Sequence, residues 1–200
     1  MRMKQFDERR DIAKVGIFGG LTAVSGALFV VGMVQNGDGA VERYNALKAA
    51  DEAGGDVSET LNDLRSFIYT HMNTEIGGEN GIYPPIQLSG TYDRLLAAEE
   101  KRVKDINDNL YSEAQAYCEA NGNQGFSGRN RIDCINGYID QNGAKPREIE
   151  SSLYKYDFVA PRWSPDLAGF SLLASILFGL ITVLSLISYL RTRHFVHLAN

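Results

Sequence analysis

The chain has 200 residues, 20 of them Lys or Arg and 25 Asp or Glu, for a formal net charge of −5. A mean hydropathy of −0.22 describes no part of it well, because a polar middle averages out two apolar stretches. The surplus of acid excludes nucleic acid as an expected partner, since phosphate backbones call for a basic face.

Residues 1–14 carry five basic side chains, Arg2, Lys4, Arg9, Arg10 and Lys14, beside the acids Asp7, Glu8 and Asp11. The apolar run Val15–Val34 follows. Its 20 residues exceed the roughly 7–15 of a secretory h-region, and no A-x-A site ends it, so it reads as an uncleaved signal anchor. The second apolar run, Leu167–Leu190, has 24 residues and no charge. At about 1.5 Å per residue it measures roughly 36 Å, enough for a bilayer core of about 30 Å.

Both runs carry small residues at steps of four: Gly16–Gly20 and Gly19–Ala23–Ala27 in the first, Ser171–Ser175–Gly179 in the second. Such faces let helix backbones approach closely in lipid, so the two spans are expected to pack on each other or on copies of the chain.

Charge orients the chain. The tail 191–200 adds Arg191 and Arg193 and no acid, while residues 35–166 hold 13 basic and 22 acidic side chains, a net of −9. Short basic flanks stay in the cytoplasm. The expected layout is a cytoplasmic segment 1–14, a membrane helix 15–34, an extracytoplasmic domain 35–166, a second membrane helix 167–190 and a cytoplasmic tail 191–200. The cell membrane is the expected location, with the lipid bilayer as one partner.

Within the middle, Gln35–Gly39 (QNGDG) reads as a breaker between the first span and an outer helix over Ala40–Ala53. Gly54-Gly55 ends that helix. Asp56 with Glu59 resembles a capping box. Val57, Leu61, Leu64, Ile68 and Met72 then step as one face of a helix. Gly77–Gly90 is too rich in Gly and Pro for helix. Tyr83-Pro84-Pro85 is expected to be extended, and a short strand fits Gly81–Ser89. A connection this long is often functional, so Tyr83, Pro84 and Pro85, together with the aromatic Phe126, form the candidate binding loop. The competing reading packs that loop on the bundle as a lid.

Thr91–Ala120 is expected to be the longest outer helix, with Leu96, Val103, Leu110 and Tyr117 at sevens. A loop follows, then a helix over Arg131–Gln141, then a last helix from Pro146 through Ile149, Leu153 and Tyr156. Trp163 and Tyr189 are the expected anchors at the two membrane interfaces. The fold class is therefore all-α, two transmembrane helices bracketing an extracytoplasmic helical bundle.

The two cysteines, Cys118 and Cys134, flank the Gly- and Asn-rich loop in the segment read as outside. An oxidising exterior makes a disulfide the natural expectation. No catalytic residues, metal ligands or cofactor are assigned. His71 stands alone beside an apolar helix face. His194 and His197 are three apart in the tail. Gly125-Phe126-Ser127-Gly128 falls short of a nucleophile elbow. Asp105-Ile106-Asn107-Asp108-Asn109 starts like a calcium loop but has Leu110 where the Gly belongs and Ala116 where the Glu belongs.

The basic start, the span, the outer helical segment and the second span resemble in layout the input module of bacterial chemoreceptors and sensor kinases. That resemblance is one of layout and implies a receptor-like input subunit. Leu64–Thr74 (LRSFIYTHMNT), Tyr83–Leu88 (YPPIQL), Thr91–Leu95 (TYDRL) and the Cys118–Cys134 hairpin resemble two-span envelope proteins of very small-celled bacteria, which implies no particular activity. A receptor needs an output, and 14 plus 10 cytoplasmic residues hold neither a kinase nor a methyl-accepting rod. The expected function is thus a non-enzymatic envelope protein, an accessory subunit that binds a partner or ligand. A receptor-like input subunit signalling through a separate membrane protein is the second reading.

Overall fold

The first element, helix α1, runs unbroken over Arg2–Glu52, 51 residues and about 76 Å at ideal rise. The computed structural model describes residues 2–74, 76, 84–121 and 129–198. Among these, α2 (Val57–Thr70), β1 (Ile86–Gln87), α3 (Ser89–Ala120), α4 (Arg129–Asn142), a 3-10 turn (Ser151–Leu153), β2 (Lys155–Tyr156) and α5 (Leu167–Leu198) follow α1. The chain is thus mostly helical, as expected. Its contacts divide it into two units: Met1–Ala50, Asp56–Pro85 and Asp157–Asn200 in the first, Asp51–Gly55 and Ile86–Tyr156 in the second.

The continuity of α1 corrects the expected break at Gln35–Gly39. The glycines there serve close packing instead of a turn. A Cβ on Gly39 would lie 2.7 Å from Phe67 Cζ, and one on Gly37 would lie 3.7 Å from the Asn73 carbonyl. Tertiary contact outweighs the roughly 1 kcal/mol that each interior glycine costs a helix. Asn73, with φ at 60°, takes the left-handed conformation that Asn tolerates, and its amide donates to Met33 O at 3.0 Å.

In the first unit, α1 and α5 lie side by side. Both are long and apolar enough to cross a membrane. Their large side chains stay exposed: Ile17, Val24 and Val30 on α1, Leu177, Leu180 and Leu184 on α5. What they bury is small or polar. Asp11, Ser25 and Gly32 on α1 and Ala168, Ser171 and Ser185 on α5 line the seam. The contact uses Gly19 against Thr182, Gly26 against Ser175 and Gly179 against Thr22, all at 3.8–3.9 Å for a virtual Cβ. Gly16 and Gly20 meet nothing within 4 Å, and Ala23 and Ala27 are exposed, so of the faces at steps of four the chain uses the one on α5 within the molecule. On α1 the seam recurs at sevens, Asp11–Phe18–Ser25–Gly32, the left-handed packing period.

In the second unit, α3 and α4 form a hairpin over a small core of Ala114, Cys118 and Ile135, flanked by Tyr138 and Ile139. The expected last helix is absent. Its residues form instead the 3-10 turn and strand β2, which pairs antiparallel with β1 in the register Ile86↔Tyr156 and Gln87↔Lys155. Leu88 N extends the pairing by donating to Tyr154 O at 2.8 Å. β1 falls inside the stretch expected to hold a short strand. Its partner was hidden because Ile149, Leu153 and Tyr156 mimic helical spacing, whereas the decisive contact lies with residues far off in sequence.

Candidate functional site

Helix α3 begins without a local cap: Leu88 precedes it and offers no side-chain acceptor. Asp51 supplies the cap from 39 residues away. Its carboxylate accepts from Gly90 N at 2.8 Å, Thr91 N at 2.7 Å, Thr91 Oγ1 at 2.6 Å and Arg94 Nη2 at 3.1 Å. These amides are the second and third of the helix, the pair an N-cap oxygen ordinarily serves. Arg94 Nη1 also donates to Asp51 O at 2.8 Å. Gly90 is required here, since a Cβ would stand 2.5 Å from that carbonyl. Burial alone would raise Asp51, but the bonds from Thr91, Gly90 and Arg94 outweigh it and hold the carboxyl below its ordinary value.

Farther along α3, three polar side chains pin the segment that leaves α4. Asn107 bonds the Ala144 peptide in both directions, Nδ2 to the carbonyl at 3.0 Å and Oδ1 from the amide at 2.9 Å. Glu99 accepts from Arg147 N at 2.8 Å and from Arg102, whose Nη2 also donates to Lys145 O at 3.0 Å. The Arg102 guanidinium and the Arg147 amide lower Glu99 to about 2. Asn107 lies within the stretch that starts like a calcium loop, and its place in α3 makes it a clamp on backbone.

This pinned segment walls an open cleft of about 350 Å³. Leu110 and Ile139 give it an apolar floor, and Tyr111, Asp140 and Lys145 stand at its rim. A floor of this kind holds an apolar body, while a carboxylate and an ammonium at the rim orient a polar end. Sequence reasoning passed over the cleft. Leu110 was legible as an inward residue, but Gly143–Lys145 reads only as a connector until Asn107 and Arg102 fasten it.

The expected binding loop divides differently. Pro84 and Pro85 are half-buried and lead into β1, while Tyr83 and Phe126 lie outside the described residues, as does Gly125–Gly128. Cys118 and Cys134 are joined as a disulfide, with Cα atoms 6.1 Å apart. Trp163 is exposed and meets Phe170 edge-on at 6.0 Å; Tyr189 is half-buried. His71 closes α2: its backbone N–H donates to Phe67 O, and its ring stacks on Phe67 at 4.1 Å. Arg43 covers Phe67 as well, its guanidinium 3.9 Å from the ring centre. Among the described residues, no group of three or more His, Cys, Asp or Glu could hold a metal ion.

A second polar cluster lies where α1, α2 and α5 meet in the first unit. Asn36, buried in mid-helix, donates to Met72 O at 3.0 Å and to Asp166 Oδ2 at 2.7 Å. Ser164 Oγ donates to the same carboxylate at 2.8 Å and accepts from Met72 N at 3.0 Å. Asp166 also caps α5 through Gly169 N at 2.9 Å. Burial opposes its charge, but the bonds from Gly169, Asn36 and Ser164 leave its carboxyl below the ordinary value. Comparison with protein-family models, with curated proteins and with solved structures returned no match.

Proposed function

We propose that the chain is a membrane-anchored, non-enzymatic protein of a bacterial envelope, crossing the bilayer twice over 15–34 and 167–190. Both termini lie in the cytoplasm, and residues 35–166 are extracytoplasmic and engage a partner or ligand as an accessory subunit. The observation that carries this reading is the α1–α5 pair. Large apolar side chains face outward along both helices, and the seam between them is small and polar. A soluble protein would bury those side chains in water; a lipid-embedded pair has no reason to. The disulfide supports an oxidising compartment for the segment that contains it. The cleft floored by Leu110 and Ile139 is the proposed place for the partner's apolar contact.

The receptor-like reading has one observation in its favour. Asn36 of α1 bonds Met72, two residues past α2, and Asp166, the residue before α5, so a shift at the end of α2 would reach both apolar helices.

Protease added to intact spheroplasts tests the topology. Cleavage confined to residues 35–166 is expected, and trimming of both ends with a spared middle would refute it. Affinity purification in mild detergent tests the accessory role: co-purification of a defined membrane complex supports it, and recovery of a lone monomer argues against it. If the co-purified protein is a kinase without an input domain of its own, the receptor-like reading replaces the accessory one.

A further inference from the structure

Asp11 of α1 is turned inward, its side chain only 8% exposed, and accepts from Ser188 Oγ of α5 at 2.8 Å. That bond sets the axial register of two antiparallel helices. At about 1.5 Å per residue, Arg10 and Arg9 lie about 1.5 and 3 Å beyond it. Arg191 and Arg193 lie about 4.5 and 7.5 Å beyond it on the same side. Lys14 lies about 4.5 Å on the apolar side. Five cations from the two ends of the sequence thus fall within about 12 Å of axis, at the border of the apolar stretches. All four arginines are exposed, and Lys14 is 45% exposed. Asp11 points into the seam, with Lys14 Nζ 3.8 Å from its carboxylate. By the same rise Glu8 and Asp7 lie about 4.5 and 6 Å beyond Asp11, so the band holds five cations and three acids and keeps a net positive charge.

We infer that this collar binds the headgroups of anionic phospholipids, an inference that rests on the membrane reading above. Guanidinium groups offer paired donors matched to phosphate oxygens, and Arg9 on α1 with Arg191 and Arg193 on α5 bring them from both helices to the level where a headgroup layer would meet hydrocarbon. A zwitterionic headgroup brings its own cation and cancels much of the attraction; a phosphatidylglycerol headgroup does not. Because α1 and α5 both contribute, the bound lipid also bridges the two helices.

The test uses the full chain in mild detergent, short-chain phosphatidylglycerol and phosphatidylcholine as probes, and native mass spectrometry to count bound lipid. Phosphatidylglycerol is expected to be retained about five-fold more than phosphatidylcholine at low salt, and near parity at 0.5 M salt. Combining Arg9→Gln, Arg10→Gln, Arg191→Gln and Arg193→Gln is expected to remove the preference and leave phosphatidylcholine uptake unchanged. Inorganic phosphate at equal concentration is expected not to compete. Equal retention of the two lipids by the unaltered chain overturns the inference, and so does full competition by inorganic phosphate. A chain that stays monodisperse without detergent and takes up neither lipid overturns the membrane reading itself, a result separate from equal retention.

Discussion

The α1–α5 seam and the α3–α4 hairpin are both paired helices, yet they are held by opposite means. The seam buries glycine, serine and an aspartate and leaves leucine and isoleucine outside. The hairpin buries Ala114, Cys118 and Ile135 and adds a covalent bond between its helices. Under the proposed membrane reading, the difference follows from the solvent that each region meets. In hydrocarbon, burying an apolar side chain gains almost nothing, so close backbone contact and interhelical hydrogen bonds such as Ser175 to Ser25 at 2.9 Å must hold the pair. In water, apolar burial drives association, but a core this small gains too little alone, and the disulfide restricts the unfolded chain instead.

The largest effect that would test the contrast is in the second unit. Asp51→Ala should destabilise the second unit by about 4 kcal/mol, because it leaves the Gly90 and Thr91 amides and Arg94 without their acceptor. Chemical denaturation of the full chain in detergent, followed by helical circular dichroism, measures it. A loss below that of an ordinary surface substitution would show that α3 does not depend on its remote cap. Next comes Cys118→Ser, expected to cost about 3 kcal/mol for a closed loop of this length. An unchanged melting temperature with and without reductant would remove the disulfide from the comparison.

On the seam, Gly32→Val is expected to cost about 2 kcal/mol, since a Cβ there would lie 2.6 Å from Ala168 N. Its signature is separation of α1 from α5, read as a lengthened distance between spin labels on the two helices. Ser175→Ala should cost only about 0.6 kcal/mol, the value typical of one such bond in lipid. If Ser175→Ala proved as damaging as Cys118→Ser, the seam would depend on polar bonds far more than its glycines suggest.

The smallest expected effect is a pH dependence. Glu99 falls from its ordinary 4.5 to about 2 in the folded protein. A lowered carboxylate contributes stability above its unfolded value and loses it as pH falls through the folded one. The second unit should therefore weaken between about pH 4.5 and 2, and Glu99→Gln should flatten part of that slope. Asp51 shifts in the same direction, so some acid sensitivity should persist in that variant. An unaltered pH profile would mean that Glu99 does not hold the Arg147 segment in solution.

Much of the helical scaffold was legible because its signals are local. Asp56 reads as a cap and is one, bonded to Ser58 N at 2.8 Å. Leu64 and Ile68 read as an inward face and are buried in α2. The sevens through Leu110 mark part of the inner face of α3, although Leu96 and Tyr117 are exposed. The candidate cleft was not legible, and neither were the Asp51 cap and the β1–β2 pair. Each depends on residues tens of positions apart, and neither periodicity nor turn chemistry carries that information.

By itself the sequence determined two apolar helices, the acidic and mostly helical middle between them and the helices that local periodicity and caps define, since each follows from composition or from spacing within a turn or two. Only the tertiary structure decided that QNGDG stays helical, that Asp51 caps α3 and that Tyr156 pairs with Ile86. At those places the local preference was weak or contrary, and contacts made by distant parts of the chain outweighed it.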